Sequence, residues 1–506
     1  MHDATTWLAW TYRGVCAALT ILGLYRIALL AASMRARRRL RMQPAVAPHM
    51  PREWPHVTVQ LPIYNERYVV RRLLAAIARL DYPRDRLDVQ VLDDSTDRTV
   101  VLVRRLVRVL RRSGLDVRHL RRPHRAGYKA GALAEGLRVA RGELIAIFDA
   151  DFVPSPDFLR RLVPEVLQPG VGVVQARWGH LNRDASWFTR MQAVLLDGHF
   201  AIEQPARAAS GCLLSFNGTG GVWRRAAIAD AGGWSSDTLT EDFDLSLRAQ
   251  LRGWRVAFRA DVVVPGELPL DPNGFRAQQR RWTKGGVQVA RKLLPAILRA
   301  PLRPHVKLEA VLRLSSYAGY PLLMALVLLR APLRALVPRE GLFGLLPGES
   351  ALLGLGTLPL VIFYVLAQHD AAAPGRFRRW LGQGLGAMAL GAGLAVGNTL
   401  AVLGGLFDRD RHFERTPKRG DARQWLRAAH YRAGGARTTW LECALLVYLV
   451  AGKFLGTATM WLGEVPFLAF FGFGLIVLVA PSLRRTPIPP ALGTARPIPS
   501  VPEQAA

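Results

Sequence analysis

Between Pro51 and about Trp282 no window of this chain is apolar enough to cross a bilayer, yet apolar runs long enough to do so stand on both sides of it. Such a chain can only fold as a water-facing domain held between membrane segments. On the N-terminal side the run Gly14–Ser33 is interrupted by one charge, Arg26, and is followed by Arg35, Arg37, Arg38, Arg39 and Arg41. Met1 to Trp10 carries no Lys or Arg, so the run reads as a signal anchor rather than a cleavable leader, with its basic flank and all that follows in the cytoplasm.

On the C-terminal side apolar segments recur at 308–329, 351–367, 381–407, 440–455 and 465–481. If all five crossed, the loop Asp408–Thr439, with nine Lys/Arg against four Asp/Glu, would face outward against the positive-inside rule. The glycine-rich segment 381–407, preceded by Arg376, Arg378 and Arg379, is therefore expected to be interfacial or re-entrant, leaving five spans in all. The resulting expectation is an integral, multi-pass protein of the plasma or inner membrane. Its parts are a signal anchor and basic linker (1–50), a water-facing domain (51–285), an amphipathic interface helix (286–307), a membrane region (308–482) and a disordered tail (483–506).

Composition excludes several classes. Half of the 506 residues are hydrophobic, which is too apolar for a disordered chain. Cys16, Cys212 and Cys443 are odd in number and far apart, so neither a disulfide framework nor a thiolate zinc site is supported. The net charge of +30 invites a nucleic-acid reading, but only six basic residues are lysine and the arginines are scattered, so no nucleic-acid partner is expected.

Within 51–285, strand and helix signals alternate. Val57–Tyr64 reads as a buried strand followed by a helix from Asn65 to Leu80. Val89–Asp94 reads as a second strand, with Ser95, Thr96 and Asp97 capping the next helix. A helix at Lys129–Ala140 then leads to Glu143–Asp151. Alternation of this kind implies a parallel α/β sheet with its ligands at the carboxyl ends of the strands. Acidic sets fall there: Asp93-Asp94, Asp149-x-Asp151, and Thr240-Glu241-Asp242. Any one of them is as well explained as a cap or a solvated turn. Three in order are not, because clustered carboxylates repel unless a cation compensates, and hard oxygen donors without His or Cys point to Mg²⁺ or Mn²⁺.

The motifs LPIYNE (61–66), VLDDSTD (91–97), GYKAGAL (127–133), DADF (149–152), VQARW (174–178), FNGTGGVWR (216–224), TEDFDL (240–245) and Gln278-x-x-Arg281-Trp282 together resemble those of processive, inverting family 2 glycosyltransferases. The chain is similar to cellulose synthases and more so to the β-mannan or glucomannan synthase-like branch, which implies a GT-A-type (Rossmann-like) α/β domain joined to an α-helical membrane domain. By that resemblance Asp93, Asp94, Lys129, Asp149 and Asp151 bind the nucleotide-sugar donor (GDP-mannose or UDP-glucose), with Asp149 and Asp151 at the metal. Asp242 is the general base, accompanied by Glu241 and Thr240. Gln175, Trp178, Asn217, Gly218, Thr219, Gln278, Arg281 and Trp282 line the path of a growing polysaccharide acceptor.

The basic loop holds Phe413, Thr416 and Lys418 in a pattern resembling the gating loop of cellulose synthases, although Arg415 and Pro417 depart from it. A single span precedes the catalytic domain, and no cyclic-di-GMP-binding domain is expected after Pro481. The rival readings are a non-processive transfer to a lipid carrier, a silent membrane transporter or scaffold, and a membrane-tethered nucleic-acid binder. Donor identity, linkage, product length, accessory subunits and oligomeric state are not legible in the residues.

Overall fold

The computed structural model describes residues 2–42, 50–336, 349–370, 377–408, 418, 420, 438–451 and 461–483. Seven strands form one sheet: β1 (Val57–Ile63), β2 (Leu87–Asp93), β3 (Asp116–Leu120), β4 (Leu144–Ile147), β5 (Val171–His180), β6 (Gly221–Arg224) and β7 (Arg255–Gly266). Their order is β3-β2-β1-β4-β6-β5-β7. The valines and leucines of β1 and β2 are buried on both faces, as strands sandwiched between helices must be. Val70–Ala78 and Thr99–Arg112 pack on one face through Leu73, Ile77, Val103 and Val107. Tyr128–Arg138 and Glu241–Leu251 cover the other through Leu133 and Leu245.

The sheet is mixed rather than wholly parallel. β1 to β4 are parallel, as expected, but β6 runs antiparallel to both β4 and β5. The chain returns after β5 through a turn at Asn217–Gly220, where Gly218 and Gly220 adopt positive φ, and so enters β6 from the carboxyl edge of β4. That turn therefore lies at the same sheet edge as the ends of β1, β2, β4 and β5.

Two helix boundaries also differ. The first helix begins at Val70, not Asn65. Asn65 has φ of 56° and stitches the strand-end loops together: its amide donates to Ser95 Oγ (2.9 Å), and its Oδ1 accepts from the Thr96 amide (2.9 Å). The helix expected from 286 is the second half of one helix, Pro272–Arg299, N-capped by Asp271. Its apolar face does not await lipid. Val289, Leu293 and Ile297 pack on Phe243, Leu247, Val306 and Leu314.

Among the described residues three helices are long and apolar enough to cross a membrane: Thr6–Arg38, Pro304–Leu333 and Leu352–His369. The segment expected to be interfacial or re-entrant forms two helices, Phe377–Gly393 and Ala395–Phe407, bent by 53°. That geometry suits a broken span or a re-entrant loop. Thr439–Ala451 and Trp461–Leu483 are further apolar helices. Arg26, in the first of these membrane-competent helices, would cost about 2.5–3.5 kcal/mol if bare at the centre of a bilayer. It is instead ion-paired to Glu203, in the turn between the helices Trp187–Asp197 and Gln204–Ala209.

Candidate active site

Parallel strands in register bring their carboxyl ends together: Ile63 pairs with Asp93, and Gln60 with Ile147. The cleft above that edge is lined by Tyr64, Asp94, Lys129, Asp149, Asp151, Trp178, Asn217, Gly218, Thr240, Glu241, Asp242, Gln278, Arg281, Trp282 and Lys418. Residues from stretches far apart in the chain thus meet in one place.

At one end Arg122 grips Asp94 with two hydrogen bonds, Nε to Oδ1 at 3.0 Å and Nη2 to Oδ2 at 2.5 Å. Beside it the Arg125 guanidinium stacks 3.5 Å from the Tyr64 ring centroid. At the centre Lys129 Nζ lies 2.5 Å from Asp149 Oδ1 and donates to the Gly218 carbonyl at 2.9 Å. Lys418 Nζ lies 2.8 Å from Asp151 Oδ2 and donates to the Glu267 carbonyl at 2.5 Å.

Asp242 occupies the first turn of the helix Glu241–Leu251, whose N-cap is Thr240, so Asp242 itself caps no helix. Its Oδ1 accepts from the Phe243 amide at 2.8 Å. Its Oδ2 faces Gly218, where an added Cβ would stand 2.8 Å away. Positive φ at Gly218 and this close approach both require glycine. At the far end the Trp178 and Trp282 rings lie 6.4 Å apart, and Trp178 Nε1 donates to the Thr219 carbonyl at 3.2 Å.

Burial and like charge set the electrostatics. Burial, then repulsion from Glu241, pushes the Asp242 carboxyl up to about 7 despite Lys129 nearby. Burial likewise raises Glu241 and Asp149, with Asp151 adding to the rise at Asp149. Burial lowers the Arg281 guanidinium against the pull of Glu241, Asp149, Asp242 and Asp151. These four carboxyls face Lys129, Lys418 and Arg281. Among the described residues no group of three or more His, Cys, Asp or Glu is arranged to hold a metal. Asp149 and Asp151 are hard oxygen donors that would form only part of a coordination shell, which suits a cation completed by phosphate oxygens.

Three residues expected at the site stand behind it. Asp93 is buried, with Oδ2 2.8 Å from His119 Nε2 and Oδ1 accepting from the Ser95 amide at 2.9 Å. Burial pushes its carboxyl up, but these bonds outweigh it and leave the group below its ordinary range. Gln175 and Thr219 are fully buried and build the turn. Gln175 Oε1 accepts from the Asn217 amide (2.8 Å) while its Nε2 donates to the Thr219 carbonyl (3.1 Å), and Thr219 Oγ1 accepts from the Asp149 amide (2.9 Å). Phe413 and Thr416 lie outside the described residues. Sequence reasoning missed Arg122, Arg125 and Glu267; a basic cluster and a lone carboxylate at the ends of β3 and β7 were the available signals.

Residues 55–285 match the family model described as glycosyltransferase like family 2. This region is a family 2 glycosyltransferase domain. Glucomannan 4-beta-mannosyltransferase 2 of Arabidopsis thaliana is 46% identical over 254 residues, 49% of this chain and 47% of that protein. Glucomannan 4-beta-mannosyltransferase 1 of Cyamopsis tetragonoloba is 43% identical over 265 residues, 51% of this chain and 50% of that protein. The chain therefore spans about half the length of the curated relatives it matches. A solved mannosyltransferase from Pyrobaculum calidifontis, in complex with GDP-Man and Mn²⁺, superimposes with a TM-score of 0.56 at 26% identity, covering 79% of this chain and all of that one. The glycosyltransferase domain thus has the GT-A-like mixed-sheet fold, carried with several helices apolar enough to span a membrane.

Proposed function

We propose that this protein is a membrane-embedded, inverting, processive glycosyltransferase that extends a β-linked mannan-type polysaccharide from GDP-mannose and passes the product across the membrane. The observation that carries the reading is the meeting of the Asp94, Asp149/Asp151 and Asp242 carboxylates with Trp282 in one cleft. The donor follows from the relatives' mannosyltransferase activity and from the GDP-Man in the Pyrobaculum enzyme.

In this reading Asp94, fixed by Arg122, receives the nucleoside end, with the Tyr64–Arg125 stack beside it. A divalent cation, Mn²⁺ or Mg²⁺, held by Asp149 and Asp151 would neutralise the donor diphosphate when bound. Lys129 and Arg281 supply fixed positive charge where negative charge grows on the departing nucleoside diphosphate. Trp282 and Trp178 offer flat apolar faces to the terminal sugar of the acceptor. The acceptor hydroxyl oxygen attacks the anomeric carbon as the bond from that carbon to the diphosphate oxygen breaks, and the hydroxyl proton passes to Asp242. A carboxyl held up near 7 suits that transfer at neutral pH. Attack opposite the leaving group inverts the anomeric configuration.

The test is to supply membranes containing the protein with radiolabelled GDP-mannose or UDP-glucose and Mn²⁺. Insoluble label from GDP-mannose that β-mannanase releases is the expected result. Label extracted entirely into organic solvent, as a glycolipid would be, overturns processive synthesis; incorporation from UDP-glucose alone overturns the donor.

A further inference from the structure

The proposed reaction makes no use of Arg26, the one charge inside the first apolar run. Its partner Glu203 closes a π-helical turn, Gly198–Glu203, set between the helices Trp187–Asp197 and Gln204–Ala209. Such turns shift side chains out of α-helical register and recur at functional sites. This one is pressed against the helix Glu349–Asp370: a Cβ at Gly198 would stand 2.6 Å from Phe363.

The turn sets His199 between two partners. Its Nδ1 lies 3.1 Å from Glu203 Oε2, and its Nε2 lies 3.1 Å from Asn217 Nδ2. Asn217 Oδ1 accepts from Gln204 Nε2 at 2.9 Å, so Asn217 presents an N–H to the ring. His199 Nε2 must then accept, and Nδ1 must carry the proton and donate to Glu203. Asn217 in turn opens the turn whose Gly218 carbonyl accepts from Lys129 and where a Cβ added to Gly218 would stand 2.8 Å from Asp242 Oδ2.

We infer that Arg26, Glu203 and His199 form a polar relay by which the N-terminal membrane helix positions the Asn217–Gly218 turn, and with it Lys129 and Asp242, for glycosyl transfer. His199 is a positioning residue, and its role rests on the transferase activity proposed above. A second contact fastens the same two elements: Arg207 donates to Glu203 Oε2 (3.0 Å), to Glu309 Oε1 (2.6 Å) and to the Tyr25 hydroxyl (3.0 Å). The relay needs a neutral ring. Burial, with Arg207, Arg313 and Arg26, pushes the His199 pKa well below the ordinary 6.5, against the Asn217 hydrogen bond. Glu203 and Glu309 are the carboxylates of this cluster, and Tyr25 its phenol.

The experiment uses the full chain in lipid nanodiscs, with transfer from radiolabelled GDP-mannose and histidine ¹⁵N spectra as readouts. His199→Ala is expected to lower kcat about 10- to 100-fold at nearly unchanged donor KM, as a small misplacement of reacting groups does. His199→Gln, whose amide can both donate to Glu203 and accept from Asn217, recovers most of that loss. The wild-type ring is expected to stay neutral at neutral pH with its proton on Nδ1, and Arg26→Met to raise its titration midpoint and to lower kcat. An active wild type with His199→Ala unaffected, or a ring protonated on Nε2, overturns the relay alone. A wild type inert with every donor overturns the proposed activity and the relay's role with it. Should His199→Ala fail to fold, Arg26→Met decides, since unchanged kcat and an unchanged midpoint there overturn the relay.

Discussion

Asp242→Asn separates the catalytic role of this carboxyl from its effect on stability. Asparagine keeps the shape of the side chain and its bond from the Phe243 amide but cannot take a proton, so transfer is expected to fall by about 100- to 10,000-fold, the usual worth of a positioned base. Binding of GDP should be nearly unchanged. The stability effect has the opposite sign. The folded state holds the Asp242 proton to about 7, against an ordinary 3.8, so between those values folding takes up a proton and stability declines as pH rises. At about 1.4 kcal/mol per pH unit, this interval caps the cost of the buried charge near 4 kcal/mol above pH 7. The neutral amide of the variant carries no such cost. Differential scanning fluorimetry of the full chain should therefore show the variant melting about 5–10 °C higher than wild type at pH 8.5, with the gain falling to about half near pH 5.5 and vanishing only toward pH 3.8. Substantial residual transfer, or a stabilisation that ignores pH, would refute the assignment of Asp242 as a buried, strained base.

The same ionisation governs the rate. Since Asp242 must be anionic to accept the proton, kcat/KM for wild type should rise with pH and level off above about 7, and a profile flat from pH 5 to 8 contradicts this. Gly218→Ala places a Cβ 2.8 Å from Asp242 Oδ2 at a φ of +83°, so initial rates should fall by about 100-fold or more while the circular dichroism spectrum is kept. Asp151→Asn should abolish the manganese-dependent part of GDP binding, read by the Mn²⁺ electron paramagnetic resonance signal, with little change in metal-free binding. Trp282→Ala should raise the acceptor-oligosaccharide KM about tenfold while donor binding is preserved, because base–aromatic and sugar–aromatic stacking contribute only about 1–3 kcal/mol.

How far the residues alone revealed this arrangement depends on whether a local rule decides the matter. The carboxyl ends of β2 and β4 were legible, since a buried run followed by paired acids marks a strand end and parallel strands share an edge. Which acid of a pair faces the cleft was not. Successive side chains point to opposite faces, so Asp94 reaches the site and Asp93 is turned to His119, a choice fixed by register rather than by residue type. The reversal at β6 escaped notice because Gly221–Arg224 is short and equally apolar in either direction. The basic face of Pro272–Arg299 matched a membrane-lying helix, whereas the partners that bury its apolar side come from 243–247 and 306–314, visible only in three dimensions. Arg26 was conspicuous as a charge in an apolar run, but its partner lies far along the chain in a π-helical turn that no period predicts.

In the proposed reaction one cleft accepts a nucleotide sugar and returns it as an inverted linkage in a lengthening chain. Purified protein in proteoliposomes, given GDP-[1-¹³C]mannose and Mn²⁺, tests that directly by nuclear magnetic resonance of the anomeric carbon and by sizing of the product over time. The expected result is β-anomeric signals in products that lengthen well beyond the acceptor supplied, all lost with Asp242→Asn. An α-anomeric product, or addition of a single sugar that never lengthens, would contradict it.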